Sequence, residues 1–119
     1  MTRRLEGQSI LVVEDEPFIV LDVTQALEEA GASVTSTNTL KHALILVEHD
    51  GLSAAILDHA LGDGDSSRLR SRLSERGVPL IIYSGFTAFD GDCAHAPRLS
   101  KPATDEQLVT MMAGLMPPE

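Results

Sequence analysis

Short, wholly apolar runs that return between amphipathic stretches restrict this chain to very few architectures. Ile10, Leu11, Val12 and Val13 form one run, Ala54, Ala55, Ile56 and Leu57 another, and Leu80, Ile81, Ile82 and Tyr83 a third. Runs this short suit strands, and a strand with no polar face has to be covered on both sides. Two more polar runs, residues 33–36 and 97–100, suit the edges of the same sheet. Strands that alternate with helices in this way predict an α/β chain with parallel strands between two helical layers.

The intervening stretches carry the helical period. Val20, Val23, Leu27 and Ala30 share one face of a helix over residues 17–30, which stops at Gly31, a residue suited to the left-handed position after a helix. Leu40, Ala43, Leu44 and Val47 mark a second helix, capped by Asn38 or Thr39. A third opens at Ser66 or Ser67, buries Leu69 and Leu73 and ends at Gly77. Thr104, Asp105, Glu106 and Gln107 read as a capping box, followed by a last helix with Leu108, Met111, Met112 and Leu115 as its apolar stripe. Residues 85–96 break the alternation. They hold Gly85, Asp90, Gly91 and Asp92 and no repeating apolar face, so the helix expected between the fourth and fifth strands is shortened or irregular. Residues 1–7 and 117–119 read as loose ends, and the whole chain, 1–119, reads as one domain with a core from about 8 to 116.

Charge narrows the function. Lys and Arg number 9 against 18 Asp and Glu, a net charge of −9 that repels phosphate backbones and anionic lipid, so neither nucleic acid nor membrane is an expected partner. Arg68, Arg70, Arg72 and Arg76 are the basic cluster and read as a solvated helix face. Aromatic residues, at 3% with no Trp, leave few rings on which bases stack. No run reaches the length of a membrane span. The single cysteine, Cys93, forms no internal disulfide, which fits a reducing, cytoplasmic location. A monomer or weak dimer is expected, with another protein as its output.

In an open parallel sheet the loops at the carboxyl ends of the strands converge and form the site. Glu14 and Asp15 follow the first strand, Asp58 the third, Ser84 and Gly85 the fourth, and Lys101 the fifth. Three carboxylates from neighbouring strands repel one another unless a cation lies among them, and an all-oxygen donor set suits Mg²⁺. A hydroxyl at Ser84 and an ammonium at Lys101 complete a set suited to a phosphoryl group, with Asp58 as the nucleophile. Gly85, beside Ser84, leaves room for phosphate to approach the backbone.

Four stretches in order, Leu11 to Pro17, Ile56 to Asp58, Ile82 to Gly85 and Leu99 to Pro102, resemble the response regulator receiver domain of two-component signalling. The resemblance covers essentially the whole chain. It implies a flavodoxin-like three-layer sandwich with a five-stranded parallel sheet of order 2-1-3-4-5. It implies phosphorylation of Asp58 by a histidine kinase or histidine phosphotransfer protein, with Ser84 and Lys101 attending the phosphoryl group. It also implies Mg²⁺ held by Asp15, Asp58 and the backbone carbonyl of Ala60, with Glu14 acting at least through a water. Such a protein is no enzyme but a phosphoacceptor that assists its own phosphorylation and slow dephosphorylation. Its signal passes to an unidentified downstream protein or along a phosphorelay.

Arg98 stands where receivers carry a switching aromatic, and the interval from Ser84 to Lys101 is short for a full helix. Phe86 supplies a ring instead, which makes the chain similar to the single-domain FAT GUY receivers and assigns the switch to Ser84, Gly85 and Phe86. Two other readings use the same residues. One is a pseudo-receiver that binds its partner without phosphorylation; intact Asp15, Asp58, Ser84 and Lys101 speak against it. The other is an aspartyl-phosphate hydrolase of the haloacid dehalogenase type, which needs a second Asp where Ala60 stands.

Overall fold

In the computed structural model β1 (Ser9–Val13) is buried from Ile10 onward. It runs parallel between β2 (Ser33–Thr37), Ile10 opposite Val34, and β3 (Ala54–Asp58), Ile10 opposite Ala54. β4 (Leu80–Ser84) continues the sheet beyond β3, and the three residues of β5 (Arg98–Ser100) pair with β4 from Ile82–Arg98 to Ser84–Ser100. The order is β2-β1-β3-β4-β5. The structure describes residues 4–58, 66–84, 98–100 and 104–115, and of 84 and 98–100 the backbone alone. Residues 85–96, where the sequence predicts a shortened helix, lie outside the described residues.

Successive side chains of a strand point to opposite faces, and here they sort into two cores. Ile10, Val12, Ile56, Ile81 and Tyr83 pack with Val23, Ala26 and Leu27 of α1 (Pro17–Glu29). Leu11, Val13, Leu57 and Ile82 pack with Leu40 and Ala43 of α2 (Leu40–Leu46) and with Leu69 and Leu73 of α3 (Ser67–Glu75). The first core is completed by Leu108, Val109 and Met112 of α4 (Asp105–Leu115). Three layers follow directly from strands that are apolar on both faces. Val109 is buried, whereas Met111 and Leu115 are only half-buried, so the apolar face of α4 is turned from the expected stripe towards its contact with α1. Among the described residues no helix is long and apolar enough to cross a membrane.

The helix ends are set by local chemistry. Thr39 caps α2 by accepting a hydrogen bond from the His42 amide at 3.2 Å. Thr104 and Gln107 form a reciprocal capping box: the Gln107 amide donates to Thr104 Oγ1 at 3.1 Å, and the Thr104 amide to Gln107 Oε1 at 2.9 Å. Gly31, just past α1, has φ +103°, and the Ala32 amide there returns to the Leu27 carbonyl.

Residues 4–7 do not behave as the loose end that their polarity suggests. Leu5 is fully buried, and its amide donates to the Ala30 carbonyl at 2.8 Å. A lone apolar residue has no period, so pattern reading passes over it; only the tertiary groove at the end of α1 gives it a place. Gly31 makes that groove. A Cβ at this position would lie 2.9 Å from the Glu6 Cα, closer than carbon atoms pack.

Two members of the basic cluster, Arg72 and Arg76, are committed to carboxylates. Arg72 of α3 forks onto Glu48, just past α2, with Nη2 to Oε1 at 2.6 Å, and also meets Glu75. Arg76 reaches Glu48 and Asp50. The Arg72 hydrogen bond, with the charges of Arg72 and Arg76, holds the Glu48 carboxyl below its ordinary 4.5 against the opposing effect of desolvation, and raises the Arg72 guanidinium in return. A depressed carboxyl contributes stability above its unfolded value and loses it as pH falls through the lower folded one.

Two outcomes are expected. Gly31→Ala should cost about 1–3 kcal/mol in urea unfolding, because it combines an unfavourable positive φ with a backbone clash. In an NMR pH titration, Arg72→Ala should move the Glu48 midpoint upward toward 4.5, and added salt should shrink the difference from wild type.

Candidate functional site

Charge has no place along β1 or β3, whose faces are covered, and it collects where those strands end. Val13 pairs with Leu57, so the next residues of the two strands, Glu14 and Asp58, emerge side by side. Asp58 is the last residue of β3 and lies opposite Tyr83, one position before Ser84 at the end of β4. One carboxylate oxygen from each of Glu14, Asp15 and Asp58 lies within 4.8 Å of the others. Glu14 and Asp58 are only 3% and 6% exposed, while Asp15 is open to solvent.

Glu14 is fixed from two sides. Its amide donates to the Thr37 carbonyl at 3.0 Å, which ties it to the end of β2. Its Oε2 accepts from the Glu16 amide at 3.1 Å. Glu16 then begins α1: its Oε1 accepts from the Phe18 amide at 3.3 Å, and Pro17 occupies the first helical position, where a missing N–H costs nothing. The three consecutive acids therefore have three different tasks. Glu14 is buried, Asp15 faces the mouth of the site, and Glu16 caps a helix.

At this separation two ionised carboxylates repel by about 3 kcal/mol if the effective dielectric is near 20. Hard oxygen donors clustered with no nitrogen or sulfur among them fit a small divalent cation that keeps part of its water shell. Beside them a cleft of about 430 Å³ opens between the starts of α1 and α2, lined by Glu14, Asp15, Pro17, Val20, Ser36, Thr37, Asn38 and His42. Of this group only Glu14 and Asp15 are predicted site residues. The strand-end rule, applied to β2 as it was to the other strands, points to Thr37 and Asn38, but His42 reaches the cleft from a helix turn and leaves no such signal.

The predicted site residues thus divide. Glu14, Asp15 and Asp58 come together, and the backbone of Ser84 ends the adjacent strand. The Ser84 side chain, Ala60, Gly85, Phe86 and Lys101 lie outside the described residues, and so does the proposed switch they include.

Comparison with known proteins agrees with this geometry. The family model described as the response regulator receiver domain matches residues 10–113. The transcriptional regulatory protein TcrA of Mycobacterium tuberculosis is 35% identical over 83 residues, which make up 68% of this chain and 33% of TcrA, so the match spans about a third of that relative's length. The solution structure of SdrG from Sphingomonas melonis is 32% identical, with a TM-score of 0.80 over 97% of this chain and 98% of that one. A response regulator receiver protein from Sinorhizobium medicae has the same fold, with a TM-score of 0.81 at 24% identity over 93% of this chain and 95% of its own.

Crowding of like charge predicts that the site weakens the fold when no cation is present. In chelator at pH 7, Asp58→Asn should raise the urea midpoint, by the equivalent of about 1–2 kcal/mol, because it removes one buried charge from the cluster. An unchanged or lower midpoint would show that other contacts of Asp58 outweigh the repulsion.

Proposed function

Because the chain belongs to the response regulator receiver domain family, we propose that Asp58 accepts a phosphoryl group from a histidine kinase or histidine phosphotransfer protein and that the phosphorylated domain signals through protein contact or onward phosphoryl transfer. The observation that carries this reading is the position of Asp58. It is a buried carboxylate at the end of a central strand, with an oxygen within 4.8 Å of oxygens from Glu14 and Asp15.

The donor set fits Mg²⁺. Glu14, Asp15 and Asp58 would hold it, with the Ala60 carbonyl as the further ligand that the family resemblance implies. Bound there, it would supply positive charge against the negative charge of the entering phosphoryl group. The remaining chemistry belongs to the chain. An Asp58 carboxylate oxygen attacks phosphorus in line, an O–P bond forms and the P–N bond of the phosphohistidine breaks. The departing imidazole nitrogen keeps the electron pair of that bond and takes up a proton. Ser84 and Lys101 attend the phosphoryl oxygens, and Ser84, Gly85 and Phe86 relay the change to a downstream partner.

Two surface features support a protein as that partner. The net charge of −9 disfavours nucleic acid, and Phe18 and Leu21 stand 77% and 62% exposed in the N-terminal half of α1. Large apolar side chains exposed at this spacing suit coverage by another protein.

Incubation with a small phosphodonor such as phosphoramidate should add the mass of one phosphoryl group when Mg²⁺ is present and none in chelator, and Asp58→Asn should take up none. Modification of Asp58→Asn at the wild-type level would place the acceptor elsewhere. Mg²⁺ at ten times its dissociation constant should also stabilise the unmodified protein by about 1.4 kcal/mol. No change in melting at saturating Mg²⁺ would overturn the metal assignment.

A further inference from the structure

Glu16 is a junction of four hydrogen bonds. Its amide donates to Glu14 Oε2 at 3.1 Å, its Oε1 accepts from the Phe18 amide at 3.3 Å, and its carbonyl accepts from the Ile19 and Val20 amides at 3.1 and 3.0 Å. The first of these bonds holds a site carboxylate, and the other three start a helix. Glu16 itself is exposed, has extended backbone at φ −94° and ψ 112°, and is absent from the carboxylate cluster. Its side chain therefore points its charge at the helix start and not at the site.

We infer that Glu16 is a positioning residue for the cation site: by capping α1 it fixes the backbone N–H that aims the Glu14 carboxylate. This rests on the reading of Glu14, Asp15 and Asp58 as an Mg²⁺ site. The physical reason is preorganisation. A carboxylate held by a fixed donor loses little freedom when a cation arrives, whereas one on a frayed turn has to be ordered at the moment of binding. Without the side-chain acceptor at position 16, only the carbonyl of that residue stays tied to the first turn of α1, through the Ile19 and Val20 amides, and its N–H side is freer to turn. Its N–H then ceases to point steadily at Glu14 Oε2. The Thr37 carbonyl still anchors the Glu14 backbone, so the strand stays in place while the carboxylate loosens.

Three variants separate the cap from the charge. Glu16→Gln keeps an acceptor at the same reach and removes the charge, Glu16→Asn supplies a shorter, neutral cap of the preferred kind, and Glu16→Ala removes both acceptor and charge. Mg²⁺ affinity is measured by calorimetric titration well below the melting range, in salt of about 0.5 M so that the loss of a surface charge is screened. The Gln and Asn variants should bind within about twofold of wild type, and Ala about tenfold more weakly, near the lower end of what loss of an outer-shell partner costs. Hydrogen exchange gives a second measurement that needs no variant. In the wild-type protein in chelator, the Glu16 amide should be protected roughly tenfold or more, since its acceptor is a buried carboxylate.

Equal affinities for Ala and Gln would overturn the positioning role, and so would a Gln variant as weak as Ala, which would make the effect one of charge. An unprotected Glu16 amide would overturn it even if the Ala variant failed to fold. Absence of Mg²⁺ binding by the wild-type protein would instead strike at the cation site itself, and the role of Glu16 would fall with it.

Discussion

A strand covered on both faces cannot carry a charge along its length, and this exclusion organises the molecule. β1 and β3 are buried at every position from Ile10 to Val13 and from Ala54 to Asp58, so the first positions at which acids are tolerated are the strand ends. Parallel pairing then places those ends at one edge of the sheet. The site is in this sense a by-product of the core: the apolar pattern that forces three layers also forces Glu14 and Asp58 into adjacency. The order of strands adds the rest, since β1 and β3 are neighbours in the sheet although a helix, a strand and another helix separate them in the chain.

Such a site works against the fold that produces it. Two nearly buried carboxylates and a third at the surface gain nothing from one another, and their repulsion has to be offset by packing elsewhere in the two cores. The offset is well distributed. Leu11, Val12 and Val13 lead directly into Glu14 and are themselves all but inaccessible to solvent, so the charged edge rests on a fully buried segment of the sheet. Tolerated strain of this kind marks a place where binding matters more than local stability. A cation bound at this cluster would therefore be linked to folding, because relief of the repulsion would stabilise the whole domain.

Much of this could be read in the sequence because it depends on periods and on short-range chemistry. Strands with two apolar faces, the Thr104–Gln107 capping box, the Thr39 cap and the glycine after α1 are all local patterns, and each corresponds to an observed element or hydrogen bond. The acidic cluster was legible for another reason, since the strand-end rule turns a list of residues into a place. What escaped is tertiary. Leu5 has no periodic companions, His42 enters the cleft from the first turn of α2, and the turned face of α4 depends on how α1 lies against it. The capping role of Glu16 was equally invisible, because only its hydrogen bond to the Phe18 amide sets it apart from its two acidic neighbours.

The anchorage of Leu5 moves the physical boundary of the domain upstream of its first strand. An experimenter who trims or fuses the chain by its visible pattern would begin at β1, since nothing in residues 4–7 announces a core position. That cut would open a hole in the floor of the first core and strip the Ala30 carbonyl of the amide that closes the end of α1. The pocket left behind would be apolar, a surface on which partly folded chains adhere to one another. Tags and linkers for this domain are therefore best joined ahead of Arg4, whose guanidinium already reaches Thr110 on α4 and pins the segment from the other side.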